Sequence, residues 1–302
     1  MENIDAIKIN FNQDQLFVLN LCLAFLMYGV ALDIRLGDFW RIFRQPKAPL
    51  VGLSSQLLFL PVLTLGVILL LQPPASVALG MMLVGVCPGG NVSNFMVHLA
   101  KGNSALSVLM TSITTLGAAI TVPLYFRFWS GFIPGTEALA SLISVDIFDM
   151  VRTIFLIILV PLFLGMVTRE RFPLTTERVK RPVGILSMLI FLAFVVFGIA
   201  GNLDLLGNAV FGPIFFFVFV HNTLALLLGF SYARLAGLSA FNTRAITIET
   251  GIQNSGLALV LIFNFFEGLG GMALIAAWWG IWHLISGFAV ATFFGRRAVE
   301  RV

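Results

Sequence analysis

The chain has 302 residues, 59% of them hydrophobic and 11% charged, with a net charge of +4. Soluble domains carry roughly 25% charged residues, so this composition excludes a water-solvated globule and requires a bilayer as the solvent. The basic residues lie between apolar stretches rather than in one patch, which excludes a nucleic-acid-binding surface and makes them determinants of topology.

A helical span needs about 20 apolar residues. Nine such stretches follow one another: Leu16–Leu32, Ala48–Leu71, Ser76–Ala100, Ser104–Phe128, Ile147–Val167, Val183–Ala200, Ala209–Leu235, Ala245–Phe266 and Gly270–Phe294. They predict an all-α integral membrane protein with nine transmembrane helices. Met1 to Gln15 is polar and of mixed charge, without the basic start of a cleavable signal, so the first span is expected to stay. The connectors Ser130–Asp146 and Thr168–Pro182 are short and punctuated by Gly and Pro, so residues 1–302 read as a single transmembrane domain. Fifteen of the eighteen Lys and Arg residues fall in loops on one side, among them Arg35, Arg41, Arg44, Arg169, Arg171 and Arg178. The positive-inside rule then places the N-terminus outside and the C-terminus in the cytoplasm. Cys22 and Cys87 lie in apolar sequence with no spacing motif, which favours buried thiols over a disulfide or metal site.

The third and eighth spans are interrupted. The third carries Cys87-Pro88-Gly89-Gly90-Asn91-Val92-Ser93-Asn94, where Pro88 removes a backbone donor and Gly89-Gly90 favours unwinding. The eighth carries Glu249-Thr250-Gly251-Ile252-Gln253-Asn254-Ser255-Gly256, and Glu249 is the one acidic residue in the middle of a long apolar segment. An ionisable group at bilayer depth costs at least a few kcal/mol and marks a functional site by default. Each break is third in a group of four spans, and the groups enter the membrane from opposite sides. That is the pattern of an inverted repeat of 4+1+4 spans: repeat one over about 16–128, a linker span at 147–167, and repeat two over about 183–294. Paired interrupted spans point to a secondary transporter.

Freed carbonyls, a carboxylate, amides and hydroxyls are the hard oxygen donors suited to a small alkali cation, and no Cys/His cluster suggests a transition metal. Ser104, Ser107, Thr111, Thr114 and Thr115 form a hydroxyl stripe on the fourth span, open between ligation and small-residue helix packing. Gln56, mid-span beside Ser54 and Ser55, is open in the same way. His283, in Trp282-His283-Leu284, is deep enough to contact a ligand or to be structural. His221, beside Asn222 and Thr223, reads as a helix–helix hydrogen bond, and His98 as unimportant for substrate. No nucleophile elbow, phosphate loop or metalloprotease motif is present, so the chain is not expected to be an enzyme.

At residues 87–94 and at Thr247-Ile248-Glu249-Thr250-Gly251-Ile252-Gln253-Asn254-Ser255-Gly256-Leu257-Ala258, the sequence resembles the bile acid:sodium symporter family, in its bacterial form. Trp282-His283, Ser286-Gly287 and Tyr28-Gly29-Val30-Ala31-Leu32 support the likeness, which covers nearly the whole chain. The resemblance implies a core domain with two crossed broken helices, a panel domain, and sodium-coupled symport of an organic anion across a bacterial inner membrane. Candidate substrates are a bile-acid-like conjugate or a small carboxylate. It implies one sodium site at Ser93, Asn94, Ser107, Thr111 and Glu249, and another at Gln56, Glu249, Gln253 and the carbonyls of Thr250 and Ile252. Asn91, Asn254 and His283 would border the substrate. Na⁺ is the co-transported ion, no organic cofactor is expected, and the protein would act as a monomer. Some relatives have ten spans, or carry Thr where this chain has Asn91 and Asn where it has Leu284. The differences at Asn91 and Leu284 leave the sodium ligands intact and bear on the substrate. A proton-coupled or uniport carrier with Glu249 as the titrating group, and a receptor or channel, are the alternatives.

Overall fold

The computed structural model describes residues 4–6, 13–32, 34, 45–90, 92–136, 146–200 and 208–297. Eleven α-helices account for nearly all of them: α1 (Gln13–Ala31), α2 (Lys47–Leu71), α3 (Ala75–Val86), α4 (Val92–Leu99), α5 (Ser104–Ser130), α6 (Ile147–Arg171), α7 (Pro173–Ala200), α8 (Asn208–Leu235), α9 (Ala240–Gly251), α10 (Ser255–Phe265) and α11 (Gly270–Gly295). Among the described residues no strand forms, and six helices are long and apolar enough to cross a membrane: α1, α2, α5, α6, α8 and α11. The protein is a multi-pass membrane protein.

Two helices widen locally, and the sequence supplies the cause. In α2 a π-helical stretch covers Ser55–Phe59, two residues ahead of Pro61, and in α6 another covers Phe155–Leu159, two residues ahead of Pro161. A proline cannot donate to the carbonyl four residues back and its ring crowds that carbonyl, so the helix accommodates it by an i→i+5 bulge. The α2 bulge matters for function because it carries Ser55 and Gln56, both buried.

Hydropathy places the segment between α6 and α7 incorrectly. Thr168–Pro182 is not a loop: α6 runs to Arg171, α7 starts at Pro173, and Phe172 alone separates them. Pro173 suits a first helical position, where its missing N–H costs nothing, and Glu177 pairs with Lys180 one turn on at 2.8 Å and with Arg169 at 3.3 Å. The stretch is helical and charged, so it extends α7 without adding apolar signal. Arg169 also donates to the Leu32 carbonyl at the end of α1. Both cysteines are free thiols; Cys87 is buried and Cys22 is half-buried.

α1, α6 and α7 pack on one another, while α3, α5, α8, α9, α10 and α11 form a second, more deeply buried set. Small residues set the closest approaches in that set, since apolar burial alone does not drive helices together in lipid. A Cβ on Gly80 of α3 would lie 2.7 Å from Met272 Cα of α11, and one on Gly229 of α8 would lie 2.9 Å from the Ile246 carbonyl oxygen of α9.

Candidate functional site

The interruptions lie where the sequence places them. α3 ends at Val86, and Cys87 turns extended (φ −67°, ψ 154°) ahead of Pro88. α9 ends at Gly251, and Ile252 is extended (φ −112°, ψ 105°). Asn254 then starts α10 by accepting from Leu257 N at 3.0 Å, the usual side-chain remedy for an orphaned helix amide. The two breaks lie against each other. Gly90 N donates to Ile252 O at 2.9 Å, and Asn254 N donates to Pro88 O at 2.9 Å, an antiparallel bridge centred on Gly89 and Gln253. Two main-chain donor–acceptor pairs freed by the unwound segments are thus satisfied across the crossing, as the absence of water in a bilayer requires.

Glu249, fully buried at 0% exposure, sits at this crossing. Its Oε1 accepts from Ser93 Oγ of α4 and Ser107 Oγ of α5, and its Oε2 accepts from Thr111 Oγ1 of α5 at 2.9 Å. Ser107 Oγ also lies 2.7 Å from Asn94 Oδ1, and Ser93 Oγ lies 2.6 Å from Gly90 O. Each hydroxyl has one proton to donate. Three hydroxyls therefore face a two-oxygen carboxylate, an amide oxygen and a main-chain carbonyl, and the cluster holds more lone pairs than protons. Ser93, Asn94, Ser107, Thr111 and Glu249 are brought together; of the stripe on α5, Ser107 and Thr111 face the carboxylate, while Thr114 bonds main-chain groups.

Of the second expected group, Gln56, Gln253 and the Thr250 carbonyl are joined by hydrogen bonds, whereas the Ile252 carbonyl accepts from Gly90 N. Gln56 Nε2 donates to Gln253 Oε1 at 3.3 Å, and Gln253 Nε2 donates to Thr250 O at 2.9 Å. Gln56 Oε1 is buried with no hydrogen-bond partner. Ser55 Oγ meets Thr250 Oγ1 at 2.9 Å. Gly89 is a contributor that sequence reading credited only with unwinding. A Cβ there would lie 2.8 Å from Glu249 Oε2, 3.1 Å from Gln56 Nε2 and 3.6 Å from Thr111 Oγ1. Its bare Cα leaves polar atoms from three helices facing a common space between the two groups. Gly89 N is held in turn by Thr114 Oγ1 at 3.4 Å.

The residues expected to border a substrate are less completely placed. Asn91 lies outside the described residues. Asn254 is buried with its Nδ2 unpartnered, and His283 is buried with its Nδ1 unpartnered; neither hydrogen-bonds to the carboxylate cluster. His221 makes the helix–helix bond expected of it, Nε2 to Thr64 Oγ1 at 2.7 Å, with its ring edge-on to Trp279. Among the described residues no group of three or more His, Cys, Asp or Glu could hold a metal. Asn222 escaped notice in the sequence because a lone amide in an apolar span also serves packing; its Nδ2 donates to Gly251 O at 2.7 Å.

Residues 20–209 match the model of the sodium bile acid symporter family. The chain is similar to an uncharacterized sodium-dependent transporter of Bacillus subtilis (strain 168), with 32% identity over 284 residues covering 92% of this chain and 83% of that protein. It is similar to a probable chloroplastic sodium/metabolite cotransporter of Oryza sativa subsp. japonica, with 30% identity over 274 residues covering 85% of this chain and 62% of that one. It is also similar to the ileal sodium/bile acid cotransporter of Homo sapiens, with 26% identity over 254 residues, 81% of this chain and 68% of that one.

Proposed function

The chain belongs to the sodium bile acid symporter family, and from that premise we propose that it carries an organic anion by alternating access with two Na⁺ per substrate. The observation that carries this reading is the proton-poor oxygen cluster around the buried Glu249 carboxylate. One Na⁺ is taken by Ser93, Asn94, Ser107, Thr111 and Glu249. The other is taken by Gln56, Glu249, Gln253 and the carbonyls of Thr250 and Ile252. A single carboxylate shared by two cations leaves a local charge of +1, which an anionic substrate neutralises. The substrate is bile-acid-like or a small carboxylate, bordered by Asn254, His283 and Asn91.

The breaks can join and part only as the helices carrying them move, so a cation that binds atoms from both stabilises one arrangement. Cation occupancy and substrate affinity are then linked in both directions. The topology that accompanies this reading has nine crossings in an inverted repeat of 4+1+4. The set containing the crossed breaks serves as the core and α1, α6 and α7 as the panel, the N-terminus is outside a bacterial inner membrane, and the protein acts as a monomer.

The test is uptake into proteoliposomes of a labelled bile acid or small carboxylate as probe, with Na⁺ replaced by K⁺ or choline at constant pH. Loss of uptake supports sodium coupling. Uptake that persists without Na⁺ and follows pH instead supports Glu249 as a titrating group in a proton-coupled carrier. Saturable counterflow of the labelled probe excludes a channel.

A further inference from the structure

At the α9–α10 break three consecutive carbonyls lose the amides that a continuous helix would offer them. Thr250 O accepts from Gln253 Nε2 at 2.9 Å, and Ile252 O accepts from Gly90 N at 2.9 Å. Gly251 O, between them, is held from outside the crossing: Asn222 Nδ2 of α8 donates to it at 2.7 Å. Asn222 is fully buried, and its Oδ1 accepts from Ser286 Oγ of α11 at 2.6 Å. A carbonyl can only accept, so Nδ2 must face Gly251 and Oδ1 must face the hydroxyl that donates to it. Both ends of the amide are committed, and its orientation is fixed.

We propose that Asn222 is a positioning residue for cation binding, oriented by Ser286. The proposal rests on the reading of Thr250 and Ile252 as cation ligands. Carbonyls in an extended turn alternate in direction, and Ile252 is extended (φ −112°, ψ 105°). Anchoring Gly251 O on α8 therefore sets the directions of the carbonyls on either side of it. Without Asn222 the Gly251 carbonyl is a buried, unpaired acceptor, and the peptide planes of the break turn to find another donor. The same amide ties the break to α11 at Ser286, one turn beyond His283. A cation that orders the break is thereby felt on the helix proposed to border the anion.

The experiment titrates purified full-length protein with NaCl, against KCl at equal ionic strength, and reads thermal stability. A ligand that binds only the folded state stabilises according to its concentration relative to its Kd, whatever the starting stability. The sodium midpoint thus separates positioning from general loss of stability. Wild type should show saturable stabilisation by Na⁺, and Glu249→Gln should lose it. Asn222→Leu removes the donor, while Asn222→Asp, in its ionised form, keeps the acceptor for Ser286 and cannot donate to Gly251 O. Both should raise the sodium midpoint on the order of tenfold, as expected for one buried hydrogen bond lost and one carbonyl orphaned. Ser286→Ala should raise it less. Thr64→Val, which removes a different polar contact of α8, that with His221, should lower stability in KCl yet leave the sodium midpoint within about twofold. A wild-type midpoint in Asn222→Asp, with the Glu249→Gln response lost, overturns the positioning role and leaves the cation reading intact. Absence of any sodium response in wild type overturns the cation reading and this inference with it. If Asn222→Leu does not fold, Asn222→Asp and Ser286→Ala decide the matter.

Discussion

Thr111 Oγ1 donates to Glu249 Oε2 over 2.9 Å, joining a continuous helix to a broken one across 138 positions of sequence. The carboxylate is held from two other sides by serines, so its position does not depend on any one of these bonds. Its charge, rather than its place in the packing, is what an amide would remove.

Glu249→Gln should accordingly fold and lose cation binding. Hydroxyls can accept as well as donate, so the neighbours can reorient around an amide. A unit charge at 4 Å contributes about 4 kcal/mol at an effective dielectric of 20, roughly a thousandfold in affinity. Sodium titration by calorimetry should show a loss of two to three orders of magnitude (roughly, by the same estimate) in a variant verified as folded. Retention of wild-type affinity would rule out a bridging carboxylate.

Gly89→Ala should damage ion binding through shape alone. The new methyl group enters the space bounded by Glu249, Gln56 and Thr111. Overpacking of this kind costs about 1–3 kcal/mol, and the sodium midpoint should rise at least about fivefold, since that much free energy opposes binding. Gly66→Ala in α2, whose Cβ would meet nothing within 4 Å, serves as the control and should leave the midpoint unchanged.

Arg244 should prove a structural tie at the other end of the broken helices. Only 5% exposed, it donates to Ala100 O at 2.7 Å and to Arg297 O at 3.1 Å, and it lies 5.6 Å from the Phe294 ring centroid. Arg244→Ala leaves these carbonyls without their donor and should lower unfolding free energy by about 1–3 kcal/mol. Arg244→Lys should recover less than half of this, because an ammonium cannot serve two carbonyls with a planar fork. A thermal melt of Arg244→Ala that matches wild type would show that the tie contributes nothing.

Two Na⁺ moving with one monovalent anion carry one net charge inward per cycle. A charge crossing the full field gains about 2.3 kcal/mol per 100 mV. Uptake into proteoliposomes at a fixed sodium gradient should therefore rise when a potassium-diffusion potential makes the interior negative. Uptake indifferent to that potential would leave 1:1 coupling or a dianionic substrate.

The parts of this architecture that depend on composition along the chain were legible before the structure was. Long apolar runs mark the helices, and Pro88 with Gly89-Gly90 marks the first break. Ser107, Thr111 and Thr114 recur at helical spacing, so their shared face could be read. The convergence of Ser107 and Thr111 on Glu249 could not, because periodicity within one helix says nothing about which helix it faces; only the family resemblance supplied that pairing. The helical start of α7 was missed because charged residues from Pro173 to Arg181 raise no apolar signal. The use of Asn222 was missed because its partner is a main-chain carbonyl, which no residue type announces. The π-helical stretches were within reach, since Pro61 and Pro161 each sit just beyond one.

The two hydrogen bonds that hold the crossed breaks, Gly90 N to Ile252 O and Asn254 N to Pro88 O, are made wholly by main-chain atoms. Ordinary side-chain replacement leaves such atoms in place; proline at 90 or 254 is the exchange that deletes a donor outright. The joint is therefore insulated from drift in the residues that flank it. Side chains around the crossing can be exchanged for others while the main-chain joint they surround keeps its shape.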